Sequence, residues 1–176
     1  QRCDIRWIGG GVRYIPVTDP NCEQGKCVRF GNGIELWMGA SDVDVGYNRV
    51  DQVYDAGLTN QGSDGEYVQS NISWHDNIIS RSEFCFEIWD DSLRNKSTMQ
   101  GIRFENNSCS NSGGGWSHPV RPDKLSAHVK MGRTTGSVAN ISIRGNQFAQ
   151  SVPISASWSV FDSPWGDNTT GWGWSI

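Results

Sequence analysis

The sequence predicts an all-β protein of the parallel β-helix class, in which short strands stack coil upon coil. Four segments alternate apolar and polar residues and end in an asparagine. These asparagines are Asn48, Asn77, Asn107 and Asn146, at spacings of 29, 30 and 39 residues. Alternation with period two is typical of a strand with one buried face, and a repeat of this length is typical of a stacked architecture. The 21 Gly and the low charged fraction of 19% favour many turns between short strands.

The repeated segments occupy residues 43–48, 72–77, 102–107 and 141–146. Their apolar positions are expected to face inward in one stack: Val43, Val45, Ile72, Trp74, Ile102, Phe104, Ile141 and Ile143. Each asparagine falls where the chain must turn, because asparagine tolerates the left-handed conformation and aligned amides can hydrogen-bond along a column. Residues 5–10 are interpreted as an earlier, degenerate copy without the asparagine, which places Trp7, like Trp74, in the core.

A second strand is predicted after each first one, at residues 33–37, 57–61 and 87–91. In one common register these segments give three outward columns: Gly33, Gly57 and Glu87; then Glu35, Thr59 and Trp89; then Trp37, Gln61 and Asp91. The equivalent region of the following coil carries Trp116, Ser117 and His118. A helical solenoid would need a 3.6-residue period, which these segments lack.

Residues 71–79 (NISWHDNII), 101–107 (GIRFENN) and 140–148 (NISIRGNQF) resemble the right-handed parallel β-helix superfamily, which includes pectate-lyase-like and polygalacturonase-like enzymes. The resemblance covers roughly residues 3–148 and implies a right-handed β-helix of about five or six coils. We expect a single domain over residues 1–176, with the Trp-rich segment 149–176 capping the stack. In size and Trp content the chain is also similar to the β-helix carbohydrate-binding modules attached to xylan-degrading enzymes.

The outward columns predict a polysaccharide site. Coils stack at about 4.8 Å, which is close to the advance of one sugar in an extended glycan, so a glycan lying along the axis would meet each coil in turn. Sugars are typically held by an aromatic platform with carboxylates and amides beside it. The expected binding residues are Glu35, Trp37, Gln61, Glu87, Trp89, Asp91, Trp116 and His118. For each Trp, the alternative interpretation is that it fills the core.

An enzyme would use the same residues differently. Glu35 and Glu87, two coils apart, would lie about 9–10 Å from each other, at the upper edge of the range of about 6.5–9.5 Å for an inverting acid/base pair. A lyase would instead need a base beside an acidic sugar, with the candidates Lys124, His128, Lys130 and Arg133. The alternative is that the carboxylates are solvated surface groups. No cofactor is expected other than calcium, for which the candidate ligands are Asp42, Asp44 and Asp55.

Charge and hydropathy argue against two classes of partner. The formal net charge is −4 without a basic run, which argues against nucleic acid. No apolar stretch approaches the roughly 20 residues of a membrane span. Of the five Cys, Cys22 and Cys27 bracket a turn and could form a local disulfide, whereas Cys85 and Cys109 are interpreted as buried thiols.

The sequence therefore predicts a carbohydrate-binding module for a plant cell-wall polysaccharide, xylan or a related β-glycan. We expect it to be secreted or held at the cell surface, as one module of a larger multidomain enzyme. The alternative function is a polysaccharide lyase or glycoside hydrolase domain. A third hypothesis is a structural surface repeat without a sugar site.

Overall fold

The computed structural model describes residues 2–9, 31–62, 65–90, 97–115, 125–131, 137–151 and 157–162. Every regular element in these ranges is a β-strand, so the predicted all-β class is confirmed. The strands are β1 (Asp4–Ile8), β2 (Ile34–Leu36), β3 (Ser41–Gly46), β4 (Arg49–Val53), β5 (Ala56–Gly62), β6 (Val68–His75), β7 (Ile78–Ser80), β8 (Phe84–Asp90), β9 (Thr98–Glu105), β10 (Ser108–Ser110), β11 (Leu125–Met131), β12 (Ser137–Ala139), β13 (Ser142–Arg144), β14 (Gln147–Ala149) and β15 (Ser157–Asp162). Within the described ranges, no helix is long and apolar enough to cross a membrane.

The strands form three sheets, and every strand pair that the structure describes is parallel. Sheet A has the order β1-β4-β7-β10-β14, and sheet B has the order β2-β5-β8-β11-β15. Sheet C has the order β12-β9-β6-β3, with β13 also paired to β9. The chain therefore visits the three sheets in turn. This order suits parallel pairing, because a tight hairpin cannot join parallel neighbours and each return to a sheet needs a long connection.

The core contains the predicted inward stack of the repeated segments. The register pairs Val43 with Ile72 and Ile102, and Val45 with Trp74, Phe104 and Ile143. The Phe86 ring of sheet B stacks on the Phe104 ring at 4.4 Å between centroids. Trp74 is fully buried and its indole Nε1 donates a hydrogen bond to Asn60 Oδ1 at 2.7 Å, so its polar atom is satisfied. Burial of each such side chain contributes about 1.5–3 kcal/mol.

The four aligned asparagines form a ladder between sheet C and sheet A, as the sequence predicts; Asn48, Asn77 and Asn107 are buried, and Asn146 is partly buried. Asn48 Nδ2 donates to Asn77 Oδ1 at 3.0 Å, and Asn77 Nδ2 donates to Asn107 Oδ1 at 3.0 Å. Asn107 Nδ2 continues the ladder to Asn146 Oδ1 at 3.1 Å. The backbone N–H groups of Asn48, Asn77 and Asn107 also donate to the Oδ1 of the next asparagine in the ladder. These bonds hold the backbone of the turn as well as the side chains.

Left-handed residues occur in three columns, where the chain bends. The predicted location was the ladder asparagine, but the left-handed residue is the one before it. The columns are Tyr47, Asp76, Asn106 and Gly145 before the ladder; Asp42, Asn71, Gly101 and Asn140 within sheet C; and Trp7, Gln52, Arg81 and Asn111 along sheet A. Their φ angles lie between 52° and 63°. In the column before the ladder and in the sheet C column, Asn, Asp or Gly holds seven of the eight positions, and Tyr47 holds the eighth. This fits their tolerance of the left-handed conformation.

The interpretation of residues 5–10 was wrong. Strand β1 pairs with β4 in sheet A, so this segment corresponds to the strand after the asparagine. Cys3 takes the ladder position, and its N–H donates to Asn48 Oδ1 at 3.1 Å. Trp7 is not in the core but is 63% exposed, because its left-handed backbone interrupts the alternation of β1.

Cys85 and Cys109 are buried, but they are not thiols. They form a disulfide that joins β8 in sheet B to β10 in sheet A. Cys3 is free and exposed. The predicted Cys22–Cys27 pair lies outside the described residues. Of the predicted cap, the structure describes residues 149–151 and β15, which pairs with β11 at the edge of sheet B.

Candidate functional site

The predicted binding residues that the structure describes lie on sheet B or directly after one of its strands, but in a different register. Glu35 pairs with Thr59, and Thr59 pairs with Glu87. Gln61, in turn, pairs with Trp89. The predicted columns had placed Trp89 beside Thr59, which is two residues out. A two-residue slip keeps every side chain on the same face, so alternation alone cannot detect it.

Glu87 is the most unusual group of this face. Its side chain is 5% exposed, and its Oε2 accepts hydrogen bonds from Gln61 Nε2 at 2.8 Å and Thr59 Oγ1 at 3.2 Å. Burial, followed by the charge of Asp55, raises the pKa of Glu87 to about 8, although the two hydrogen bonds and the charge of Lys130 act in the opposite direction. Glu87 therefore carries a proton at neutral pH and can donate it.

Lys130 is the next member of the Glu87 column, on β11. Its Nζ lies 5.8 Å from the centroid of the Phe84 ring, which packs with Ala56 and Ala127 in a small apolar cluster. The sequence analysis had instead predicted that the stretch containing Trp116 and His118 follows residues 87–91 in these columns. Residues 111–124 connect β10 to β11, whereas two residues connect β4 to β5 and three connect β7 to β8, so the repeat did not predict the register of β11.

Two Trp residues lie on the exposed part of sheet B, two strands apart. Trp37 follows β2 and is 47% exposed, and Trp89 in β8 is partly buried. Gln61 lies on the strand between them, also partly buried. Glu35 is exposed, and its Oε2 accepts a hydrogen bond from Asn32 Nδ2 at 2.9 Å. The core-filling alternative therefore does not apply to Trp37.

Three of the predicted binding residues lie outside the part of the chain that the structure describes: Asp91, Trp116 and His118. The same holds for Lys124 and Arg133 among the predicted lyase bases. Their placement stays a prediction.

His128, another predicted lyase base, faces away from this site. It is 1% exposed, its ring stacks on Phe148 at 5.2 Å, and its Nδ1 lies 2.9 Å from Ser112 Oγ. Burial lowers the pKa of His128 to about 4, so the ring is neutral at physiological pH. Its surroundings are those of a satisfied core histidine rather than of a base that meets substrate.

The three predicted calcium ligands are spread over two elements. Asp42 and Asp44 belong to β3, whereas Asp55 lies between β4 and β5. In the described ranges, no group of three or more His, Cys, Asp or Glu side chains could hold a metal ion. The charge of Asp55 instead raises the pKa of Glu87. The two residues come close because β5 pairs with β8.

Comparisons with protein-family models, with curated proteins and with solved structures find no match for this chain. The class of the protein therefore follows from its own architecture. It is an all-β protein of three parallel sheets with a buried asparagine ladder and an aromatic and carboxyl-bearing face on sheet B.

Proposed function

We propose that this chain is a carbohydrate-binding module that recognises a plant cell-wall polysaccharide, xylan or a related β-glycan, on sheet B. The observation that supports it is the row Trp37, Gln61 and Trp89: Trp37 directly follows β2, and Gln61 and Trp89 are paired on the next two strands, β5 and β8. Adjacent strands lie about 4.8 Å apart, so the two indoles are spaced by about two sugars of an extended chain. A glycan crossing these strands would stack on both rings and meet an amide between them.

The polar groups of the row suit the hydroxyl edges of a sugar. Glu35 is an exposed acceptor, and the Gln61 amide offers both a donor and an acceptor. The protonated Glu87 carboxyl holds the Gln61 side chain by the 2.8 Å hydrogen bond. Glu87 would therefore orient Gln61 rather than touch the glycan.

The proposed architecture is a single right-handed parallel β-helix over residues 1–176, with about five or six coils. It is supported by the order in which the chain visits sheets A, B and C, and by the ladder along one corner. Parallel crossovers in proteins are right-handed in about 98% of cases.

An extracellular location fits this function, because plant cell-wall polymers lie outside cells. The Cys85–Cys109 disulfide supports it, since disulfides persist in oxidising compartments. We further propose that the chain serves as one module of a larger multidomain enzyme, with polysaccharide rather than nucleic acid or membrane as its partner.

A polysaccharide lyase or glycoside hydrolase is the second candidate, and the raised pKa of Glu87 favours it. A carboxyl group that is protonated at neutral pH is the form that a general acid needs. Glu35 lies two strand spacings from it, about 9.6 Å, at the upper edge of the range of about 6.5–9.5 Å for an inverting pair. The burial of Glu87 also separates it from a polymer, so binding without cleavage is the function that the geometry supports best.

The test is affinity electrophoresis through gels that contain xylan, β-glucan, pectin, alginate or mannan, with product analysis of each retarding polymer. We expect retardation without cleavage, and Trp37→Ala should weaken it about fivefold through loss of the stacked ring. Trp7→Ala is the matched control, because Trp7 is an exposed indole on sheet A.

Equal retardation of Trp37→Ala and the wild-type chain would exclude the proposed face. Cleavage that is abolished by Glu87→Gln would assign the lyase or hydrolase function instead. Absence of retardation on every polymer would favour a structural repeat without a sugar site.

A further inference from the structure

A second candidate site lies on sheet A, where the chain passes from sheet C through the ladder turn. It is an open cleft of about 400 Å³. Its lining comes from the start of the chain and from the beginnings of β4 and β7, and includes Arg2, Cys3, Asp4, Tyr47, Arg49 and Ile78. None of the lining residues belongs to sheet B, so the cleft is separate from the Trp37 row.

Tyr47 is the unusual residue of this cleft. It has a φ of 63°, although its equivalents in the following ladder turns are Asp76, Asn106 and Gly145, which adopt this conformation more readily. A bulky residue is strained there, and Tyr47 is 56% exposed, so burial does not compensate for the strain. Strain that is retained at an exposed aromatic residue points to a function for its ring.

The Tyr47 ring is held in place by His75. The two ring centroids lie 5.3 Å apart with the planes at 90°. The imidazole in turn lies over Gly46, where an added Cβ would come within 2.3 Å of it. Its Nε2 lies 2.9 Å from Asp44 Oδ1, and its Nδ1 lies 2.8 Å from Asp76 Oδ2. The platform is therefore ordered before any ligand binds.

The cations that line the cleft are Arg2 and Arg49, which lie beside the carboxylates of Asp4 and Asp76. The Asp4 carboxylate already accepts two hydrogen bonds of 2.6 Å from Arg6, and Asp76 is engaged by His75. The hydrogen bond that His75 Nδ1 donates to Asp76 raises the pKa of His75, which favours the protonated ring beside that carboxylate. Among the residues that the structure describes, Arg2 and Arg49 have no ion-pair partner.

We propose that this cleft binds an acidic sugar, whose ring stacks on Tyr47 and whose anionic group is held by Arg2 and Arg49. The anionic group is a carboxylate or a sulfate ester, both of which match the guanidinium fork. Asp4 and Asp76 lie beside these arginines, and their carboxylates accept hydrogen bonds from the hydroxyl groups of the sugar ring. The site stands on its own residues and does not depend on sugar binding by sheet B.

The test is titration of the whole chain with glucuronic acid, glucose 6-sulfate, glucose and inorganic sulfate. Exposed Cys3 lines the cleft and serves as the reporter: its rate of alkylation by iodoacetamide, followed by mass spectrometry of its peptide, should fall as the cleft fills. We expect protection by one or both acidic sugars and weaker protection by glucose and by sulfate. Protection of Cys3 by glucuronic acid alone would assign a carboxylate to the cleft, and protection by glucose 6-sulfate alone would assign a sulfate ester.

Tyr47→Asn should raise the dissociation constant about tenfold by removing the platform. Asparagine suits the left-handed backbone, so this variant should fold at least as well as the wild-type chain. Trp7→Asn is the matched control, since Trp7 is another exposed aromatic at a left-handed position and does not line the cleft. Arg49→Gln should weaken the binding of the acidic sugars and of inorganic sulfate but not that of glucose.

The proposal is overturned if neither acidic sugar protects Cys3, or if glucose or inorganic sulfate protects it equally well. It is also overturned if Tyr47→Asn and Trp7→Asn have the same effect. Loss of polysaccharide retardation in the Trp37→Ala variant with intact protection of Cys3 would separate the two sites experimentally.

Discussion

Three cross-strand partners on sheet B differ sharply in their exposure. Glu35 is exposed on edge strand β2, whereas Thr59 and Glu87 on the inner strands β5 and β8 are buried. The two glutamates, Glu35 and Glu87, thus have opposite environments although they lie only two strands apart. Since a buried carboxylate is costly, Glu87 resolves the cost by keeping its proton and accepting two hydrogen bonds.

This raised pKa predicts a pH-dependent stability. The folded-state pKa of Glu87, about 8, exceeds the ordinary value of 4.5, so the folded chain binds more protons between these values. The stability that Glu87 contributes is therefore lost as pH rises from about 4.5 to about 8. We expect the free energy of unfolding of the wild-type chain to fall, relative to Glu87→Gln, by on the order of 3 kcal/mol between about pH 5 and pH 9.

Urea unfolding of both variants at each pH measures this difference. His75 and His128 titrate in both chains, so their contributions cancel in the comparison. A difference between wild type and Glu87→Gln that is independent of pH would show that Glu87 is ionised in the folded state.

At the scale of elements, the ladder and the left-handed columns perform separate tasks. Asn77 is 1% exposed and joins three strands: it accepts from Asn48 and donates to Val45 O at 2.9 Å and to Asn107 Oδ1. Asn106, one position before the next ladder residue, is exposed and supplies the left-handed bend. The ladder satisfies buried backbone groups, whereas the column before it turns the chain.

Asn77→Ala should therefore lower the free energy of unfolding by about 2–4 kcal/mol, because it leaves several buried donors and acceptors without partners. Asn106→Gly is the matched control; it keeps the bend and should stay within about 0.5 kcal/mol of the wild-type chain. Chemical denaturation monitored by Trp fluorescence gives both values. Equal losses for the two variants would contradict the separation of tasks.

On the scale of the whole molecule, the disulfide connects two of the three sheets. Cys85 in sheet B and Cys109 in sheet A are both fully buried and are separated by 24 residues in sequence. Other links between the described sheets are non-covalent, such as the Phe86–Phe104 stack and the Trp74–Asn60 hydrogen bond between sheets B and C. The disulfide restricts the unfolded chain, and among the described residues the other contacts across the core are non-covalent.

The double variant Cys85→Ala/Cys109→Ala should lose about 3 kcal/mol of stability, which corresponds to roughly 10 °C in the melting temperature of a chain of this size. Alanine avoids placing a buried hydroxyl in the core. Cys3→Ala should leave the melting temperature unchanged, since Cys3 is exposed and free. Calorimetry checks both, and an unchanged melting temperature of the double variant would show that packing alone holds the sheets.

The sequence by itself determined the all-β class, the inward stack around Trp74 and the asparagine ladder. These features follow from local alternation and from a regular spacing, both of which can be counted along the chain. It also identified Trp37, Gln61 and Glu87 as residues of one face, because the alternation is uninterrupted at these positions. The carbohydrate function of that face stays a prediction.

Only the tertiary structure decided the register of sheet B, the bond between Cys85 and Cys109, the burial of Glu87 and the exposure of Trp7. Each depends on residues that are far apart in the chain and on irregular connections. A two-residue slip preserves the face of every side chain, and a single left-handed residue reverses the alternation after it. The physical reason is the same in every case: periodicity reports which side a residue faces, but the neighbours that set its burial and pKa come from other strands.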